Sequence, residues 1–297
     1  MQKITPFLWF DDKAEEAVKL YTSIFKNSKI LNTARYDENS SNASGRPAGS
    51  VMTIAFELNG QTFNALNGGP IFKFTPAVSY FVYCDSEAQV NELWNKLLEG
   101  GSVLMEFTKY PFAEKYGWLN DKYGVSWQLF LGKTPQKINP CLMFIKENCG
   151  KATEAINFYT SVFKNAKTDF VYNYTQDSGE PETNVMHGGF TIEGQEFIIM
   201  DSGKDHEFNF TEANSFLINC ENQEEVDYYW EKLTEGGSPS QCGWLKDKYG
   251  LSWQVVPTAL SQLLSSKNSV KARNVMKAML QMNKLDVNKL QEAYDQE

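Results

Sequence analysis

The chain has 297 residues, enough for about two domains of roughly 150 residues, each able to bury its own core. Its 37 acidic and 28 basic residues give a formal net charge of -9, a field that repels nucleic-acid backbones and anionic lipid heads and makes both poor partners. With 42% hydrophobic and 14% aromatic residues, and no apolar run near the roughly 20 residues of a membrane span, the composition is that of a folded soluble protein. The start, MQKITPFLWFDDKAEEA, lacks a basic region followed by an apolar stretch and cleavage site, so a cytoplasmic location is expected. The cysteines Cys84, Cys141, Cys149, Cys220 and Cys242 are odd in number and form no CxxC pair, which points to reduced thiols.

In chain order, ITPFLWF has strand character, and Ala14, Ala17, Val18, Tyr21 and Phe25 then recur at helical spacing. Val51–Leu58 and residues 62–66 flank Asn59-Gly60, a strong hairpin signal. Val78–Cys84 reads as a strand, and the helical stripe Val90, Leu93, Trp94, Leu97, Leu98 stops at Gly100-Gly101. Strand, helix and several strands therefore occur twice, an α+β pattern of two βαβββ modules.

The whole pattern then repeats. Residues 14–27 match residues 152–165 at nine of fourteen positions, and GWLNDKYGVSWQ matches GWLKDKYGLSWQ at ten of twelve. Two copies of a complete unit predict domains at 1–132 and 138–257, joined by a short linker. The first copy carries ten extra residues in VLMEFTKYPFAEKY, and the second four extra in IKENCGK. Residues 258–297 show no strand alternation and predict a helical tail, whose apolar face of Val275, Met276, Met279, Leu280 and Met282 suits packing.

The combination of AEEAVxxYTSxF, an FxxxGQxF hairpin, a helix ending in EGG and GWLxDKYGxSWQ resembles the PhnB-like branch of the vicinal oxygen chelate superfamily, the glyoxalase, bleomycin-resistance and dioxygenase group. The resemblance covers residues 4–257. It implies two tandem domains, each of two βαβββ modules curled into a U-shaped mixed sheet around a cavity, packed as an internal pseudo-dimer in a monomeric chain. Some members carry a methyltransferase label, but no GxGxG turn follows a strand here as an adenosylmethionine-binding domain would require, so that activity is disfavoured.

In the metal-using members four ligands, mostly His and Glu, line the cavity. The resemblance carries those places onto Pro6, Asn64, Ser79 and Gln128 in the first copy and Pro140, Ile198, Ser215 and Gln254 in the second. None is His, Glu or Asp, so neither a metal nor another cofactor is expected. His187 is the candidate catalytic residue: pairing Ile192 with Gln195 across Glu193-Gly194 sets it on the face of Ile198, as a general acid or base, a ligand-orienting donor, or a hydrogen-bonded interior histidine. Its counterpart is Thr53. The Gln128 and Gln254 amides offer paired donors and acceptors to a ligand or to buried backbone. Trp118, Trp127, Trp244 and Trp253 suit packing, Tyr110 and Phe112 offer a lid, and Asp121 and Asp247 suit turns that bind backbone amides. Cys242 stands where the first copy has Tyr116.

The expected function is binding of a small organic ligand without the metal site, with acid/base activity at His187 and the second copy's cavity as the working one. Two alternatives stand beside it: a metal-dependent lyase, isomerase or dioxygenase, and sequestration of an aromatic natural product without turnover.

Overall fold

A computed structural model describes residues 2–266 and 268–296, leaving aside the side chains of residues 39, 42 and 43. Residue 1 of the first expected domain and residues 267 and 297 of the expected tail lie outside this description. Four βαβββ modules follow one another. The first is β1 (Ile4–Phe10), α1 (Ala14–Ile24), β2 (Lys29–Arg35), a short polar helix α2 (Glu38–Ser44), β3 (Val51–Leu58) and β4 (Gln61–Asn67). The second is β5 (Val78–Cys84), α3 (Glu87–Leu98), β6 (Ser102–Tyr110), β7 (Ala113–Asn120) and β8 (Ser126–Leu131). The third is β9 (Lys137–Phe144), α4 (Ala152–Val162), β10 (Ala166–Asn173), β11 (Val185–Ile192) and β12 (Gln195–Asp201). The fourth is β13 (Asn214–Cys220), α5 (Gln223–Thr234), β14 (Ser238–Pro239), β15 (Trp244–Lys246) and β16 (Ser252–Pro257). The tail holds α6 (Thr258–Leu264), α7 (Ser269–Met279) and α8 (Val287–Asp295).

Local chemistry sets these boundaries. Ser86 and Asn222 cap α3 and α5 by accepting from the amides of Gln89 and Glu225. Both β-hairpin turns use two successive left-handed residues, Asn59-Gly60 and Glu193-Gly194. A glutamate is unusual in that conformation; here its carboxylate accepts from the Lys164 amide at 3.2 Å and Asn165 Nδ2 at 2.9 Å.

The strands form two eight-stranded mixed sheets, as the resemblance implied, but each sheet takes its modules from both copies. The first sheet runs β14-β15-β16-β13-β1-β4-β3-β2, joining modules one and four; the second runs β10-β11-β12-β9-β5-β8-β7-β6, joining modules two and three. Connection length explains the pairing. Only five residues separate β8 from β9, which keeps β9 beside β5, while ten separate β4 from β5 and let the chain cross to the other sheet.

The hydrophobic cores, by contrast, follow the copies. One gathers Leu8, Val18, Tyr21, Tyr80, Leu93 and Trp127; the other gathers Phe144, Tyr159, Phe190, Phe216, Leu233 and Trp253. Each is fastened by a buried aspartate. Asp121 accepts from Tyr21 Oη of α1 (2.6 Å), Trp127 Nε1 (2.9 Å) and the amides of Tyr123 and Val125. Asp247 repeats the arrangement with Tyr159 (2.8 Å), Trp253 (2.9 Å), Tyr249 and Leu251. A helix of one module is thereby tied to the last turn of the next.

The tail makes good the shorter fourth module. Where β6 and β7 form a long hairpin, β14 and β15 are short, and the tail docks instead: the amides of Cys242 and Gly243 donate to the carbonyls of Met282 and Asn283 at 2.7 and 2.8 Å. Leu285 lies within 3.3 Å of where a Gly243 Cβ would stand, and Leu285, Leu290 and Val275 are fully buried.

Candidate functional site

Strand alternation assigns each sheet a face packed on its helices and an opposite, concave face. In the second sheet Val78, Tyr80, Val82, Trp127, Leu129, Leu142 and Phe144 join the helix-packed cores. Phe81, Tyr116, Trp118, Cys141, Met143 and Ile198 form a separate cluster on the concave side, with Tyr83, Tyr110, Phe130 and Phe170 against it.

The sequence-derived positions now sort differently. Ser79, Gln128 and Ile198 share the concave face of the second sheet; Asn64, Ser215 and Gln254 share that of the first, with Thr53. The grouping by copy is thus replaced by a grouping across copies. Pro6 and Pro140 are corrected outright. They fall in phase with Ile4 and Leu8, and with Ile138 and Leu142, on the core side, so Phe7 and Cys141 hold the concave places. Phe7 pairs with Ser215 and Asn64, and Cys141 with Ser79 and Ile198.

Cys141 and Tyr116 are the site residues that sequence reasoning missed. Gln128 Nε2 donates to Ser79 Oγ at 2.8 Å and to Cys141 Sγ at 3.4 Å, while its Oε1 accepts from Tyr116 Oη at 2.7 Å. Nearby, Trp118 Nε1 donates to Ser126 Oγ at 2.7 Å. The base of this concave face is therefore a closed polar network under an aromatic lining.

His187 faces the same space. Its ring lies 5.1 Å from that of Phe170 and 5.9 Å from that of Phe81, centroid to centroid, and Phe81 in turn lies 6.2 Å from Tyr116. His187 is half-buried, and among the described residues its ring nitrogens have no hydrogen-bond partner, unlike a satisfied interior histidine. Burial holds its pKa below the usual histidine value, so the imidazole is neutral at neutral pH. Tyr110 and Phe112 stack at 5.4 Å at the tip of the β6–β7 hairpin and both meet Tyr116 edge-on. Exposed Phe112 and Tyr172 stand at opposite edges of the sheet. His206 instead bonds Ser202 Oγ at 2.9 Å on a loop.

The divalent metal of the superfamily does not fit these residues. The concave places hold Ser79, Gln128, Cys141 and Ile198 in one sheet and Phe7, Asn64, Ser215 and Gln254 in the other. Among the described residues no three His, Cys, Asp or Glu side chains gather to share an ion. Burial pushes the Cys141 thiol up to about 12, and its neighbours Ser79, Gln128 and Ile198 bring no charged donor beside it. Two open clefts, about 350 and 480 Å³, lie elsewhere: one where the Asn59-Gly60 and Glu193-Gly194 turns meet, the other between α3 and β6.

Comparison with known proteins agrees with this architecture. A family model described as 3-demethylubiquinone-9 3-methyltransferase matches residues 2–130 and again 136–256. No curated protein matches the chain. Among solved structures, a PhnB protein from Bacillus cereus is 47% identical over 44% of this chain and 100% of its own, with a TM-score of 0.41. A protein from Staphylococcus aureus is 39% identical over 43% of this chain and 95% of its own, with a TM-score of 0.18. Glyoxalase I from Zea mays covers 84% of this chain and 89% of its own at 11% identity, with a TM-score of 0.53, a likeness of fold alone. Among the described residues, no helix is long and apolar enough to cross a membrane.

Proposed function

This chain belongs to the PhnB-like family, within the vicinal oxygen chelate superfamily, and on that footing we propose that it binds a neutral, hydroxyl-bearing aromatic molecule without a metal, on the concave face of its second sheet. The observation that carries this reading is His187: an unpaired, neutral imidazole against the Phe81 and Phe170 rings, with Tyr116 beyond Phe81 and Tyr110 and Phe112 beyond Tyr116. The rings supply stacking area, and the imidazole accepts the ligand's hydroxyl proton in a hydrogen bond, from which position it also serves as general base for an acidic hydroxyl. The net charge of -9 disfavours anionic ligands. The family description names methyl transfer; both sheets here are mixed and built of βαβββ modules, without the doubly wound parallel sheet of a dinucleotide-type fold, so that activity is not part of the proposal.

The test uses 2-naphthol and 2-methoxynaphthalene, which share a ring system but differ in the donor. His187→Ala should weaken 2-naphthol about tenfold, the value of one hydrogen bond, and leave 2-methoxynaphthalene unchanged. Binding of 2-naphthol should also weaken as pH falls through the lowered pKa of His187, because the imidazolium cannot accept. Equal affinity of wild type and variant for 2-naphthol would refute the site. Turnover of a hydroxyl-bearing aromatic that stops with His187→Ala would make it an enzyme; binding alone would make it a sequestering protein.

A further inference from the structure

The open cleft of about 350 Å³ is built from equivalent residues of the two copies, at the turn ends of their strands. Gln61 and Gln195 are counterparts that meet there. Gln61 Nε2 donates to Gln195 Oε1 at 2.6 Å, and Gln195 Nε2 donates to the Glu196 carbonyl at 2.9 Å. Asn59 Nδ2 donates to the Gln136 carbonyl at 2.6 Å, and Asn139 Nδ2 to Glu196 Oε2 at 3.2 Å. These bonds orient the amides alike, with their nitrogens on the protein. Among the described residues nothing donates to Asn59 Oδ1, Gln61 Oε1 or Asn139 Oδ1, although Asn139 is only 5% exposed.

Two carboxylates add to these oxygens. Among the described residues Glu193 accepts only from neutral N–H groups, and Lys137, the one cation lining the cleft, is held by Glu196 at 2.6 Å. The lining thus offers acceptors and a net negative charge, and the complementary guest brings donors and a positive charge. The second copy also gives up a satisfied amide to build this arrangement. In the first copy Gln2 Nε2 donates to the carbonyls of Ile4 and Thr62 at 2.7 and 3.1 Å, and its Oε1 accepts from the Thr62 amide at 3.0 Å. Gln136 is the counterpart of Gln2 and Glu196 that of Thr62, but Gln195 holds the Glu196 carbonyl, and both side-chain amide atoms of Gln136 are buried without a partner. A cost of that kind is rarely retained where packing alone is at stake.

We propose that this cleft binds a small organic cation rich in N–H donors, a guanidinium or a diamine. Its N–H groups donate to the side-chain oxygens of Asn59, Gln61 and Asn139, and Glu193 and Glu196 hold its charge. A guanidinium suits the cleft best, because its donors spread in a fixed fork over acceptors that come from separate elements. The volume lies at the lower end of the range of small-molecule sites. The proposal is independent of the His187 reading, since the lining includes neither His187 nor the rings around it.

Agmatine, which carries a guanidinium and an ammonium on one short chain, is the probe, followed by titration calorimetry at low salt. Wild type should bind it at millimolar concentration or below. Glu196→Gln, which removes a charge, and Gln61→Met, which removes an acceptor, should each weaken binding about tenfold. Lys137→Met removes the competing ammonium and should tighten binding about threefold, an effect that a loosened fold would not produce. Butylurea, which keeps N–H donors but lacks the charge, should bind about tenfold more weakly than agmatine. Glu114→Gln, at an exposed carboxylate of the β6–β7 hairpin, and His187→Ala should both leave agmatine binding unchanged. The proposal is overturned if wild type fails to bind millimolar agmatine, if Glu196→Gln and Gln61→Met bind as wild type does, if Lys137→Met weakens binding, or if butylurea binds equally well. It is also overturned if Glu114→Gln weakens binding as much as Glu196→Gln, which would reduce the effect to general attraction by an acidic protein.

Discussion

Asp247 is a fully buried carboxyl that burial pushes up from 3.8 to about 6, against the opposing pull of Trp253, Tyr159 and two backbone amides. Its folded value lies above its unfolded one. Its stabilising contribution is therefore complete below about pH 3.8 and is lost as pH rises through about 6. A shift of about two units corresponds to about 3 kcal/mol, of which about 2 kcal/mol falls between about pH 4.5 and about pH 7.5. Asp247→Asn removes the titration. Urea unfolding of wild type and variant at both pH values therefore isolates the group, since the other carboxyls titrate alike in both proteins. The wild-type advantage should shrink by about 2 kcal/mol from the lower to the higher pH. A difference that stays flat would show that the carboxyl is not held in a dry site, and the reasoning about the aspartate clasp would fail. Should Asp247→Asn not fold, Tyr159→Phe serves: losing a donor to the carboxylate raises the Asp247 pKa further and moves the loss of stability to higher pH.

Three further outcomes follow from the same structure. Truncation after Gln281 removes Leu285 and Leu290 and both backbone bonds to Cys242 and Gly243, and should cost about 3 kcal/mol or more in a denaturant melt; an unchanged melt would mean that the tail does not complete the fourth module. Burial pushes Cys84, Cys141 and Cys220 up to about 12, so a thiol reagent at neutral pH should label Cys149 and Cys242 first, as peptide mapping would read. Gly237→Ala places a Cβ 2.1 Å from the Lys246 carbonyl oxygen, and should destabilise the fold by several kcal/mol by calorimetry, whereas Gly194→Ala meets no atom within 4 Å and should cost only its left-handed backbone strain.

The sequence exposes strands and helices where one face differs from the other. The amphipathic helices α1 and α3, the Asn59-Gly60 and Glu193-Gly194 turns, and the placement of His187 with Ile198 are all legible in this way, because β11 and β12 keep polar and apolar residues in phase. The first strands offer no such contrast. ITPFLWF and KINPCLMF are buried almost throughout on both faces, so alternation carries no phase, and the one-residue slip that put Pro6 and Pro140 in the cavity has nothing to correct it. Module exchange was equally hidden, since the same repeats satisfy either pairing and only the unequal lengths of the β4–β5 and β8–β9 connections separate them. Trp244 and Cys242 were visible as counterparts of Trp118 and Tyr116, but that the Ser252 hydroxyl lacks the partner Ser126 finds in Trp118 appears only in three dimensions.

The most direct test of metal-free ligand recognition at His187 is NMR of histidine-labelled protein, which carries two histidines, titrated with 2-naphthol in excess EDTA. His206, bonded to Ser202 on its loop, serves as the internal control. The imidazole signal of His187 should move with saturation while that of His206 stays still. An unmoved His187 signal, or a shift that appears only when EDTA is replaced by a divalent metal, would contradict the account.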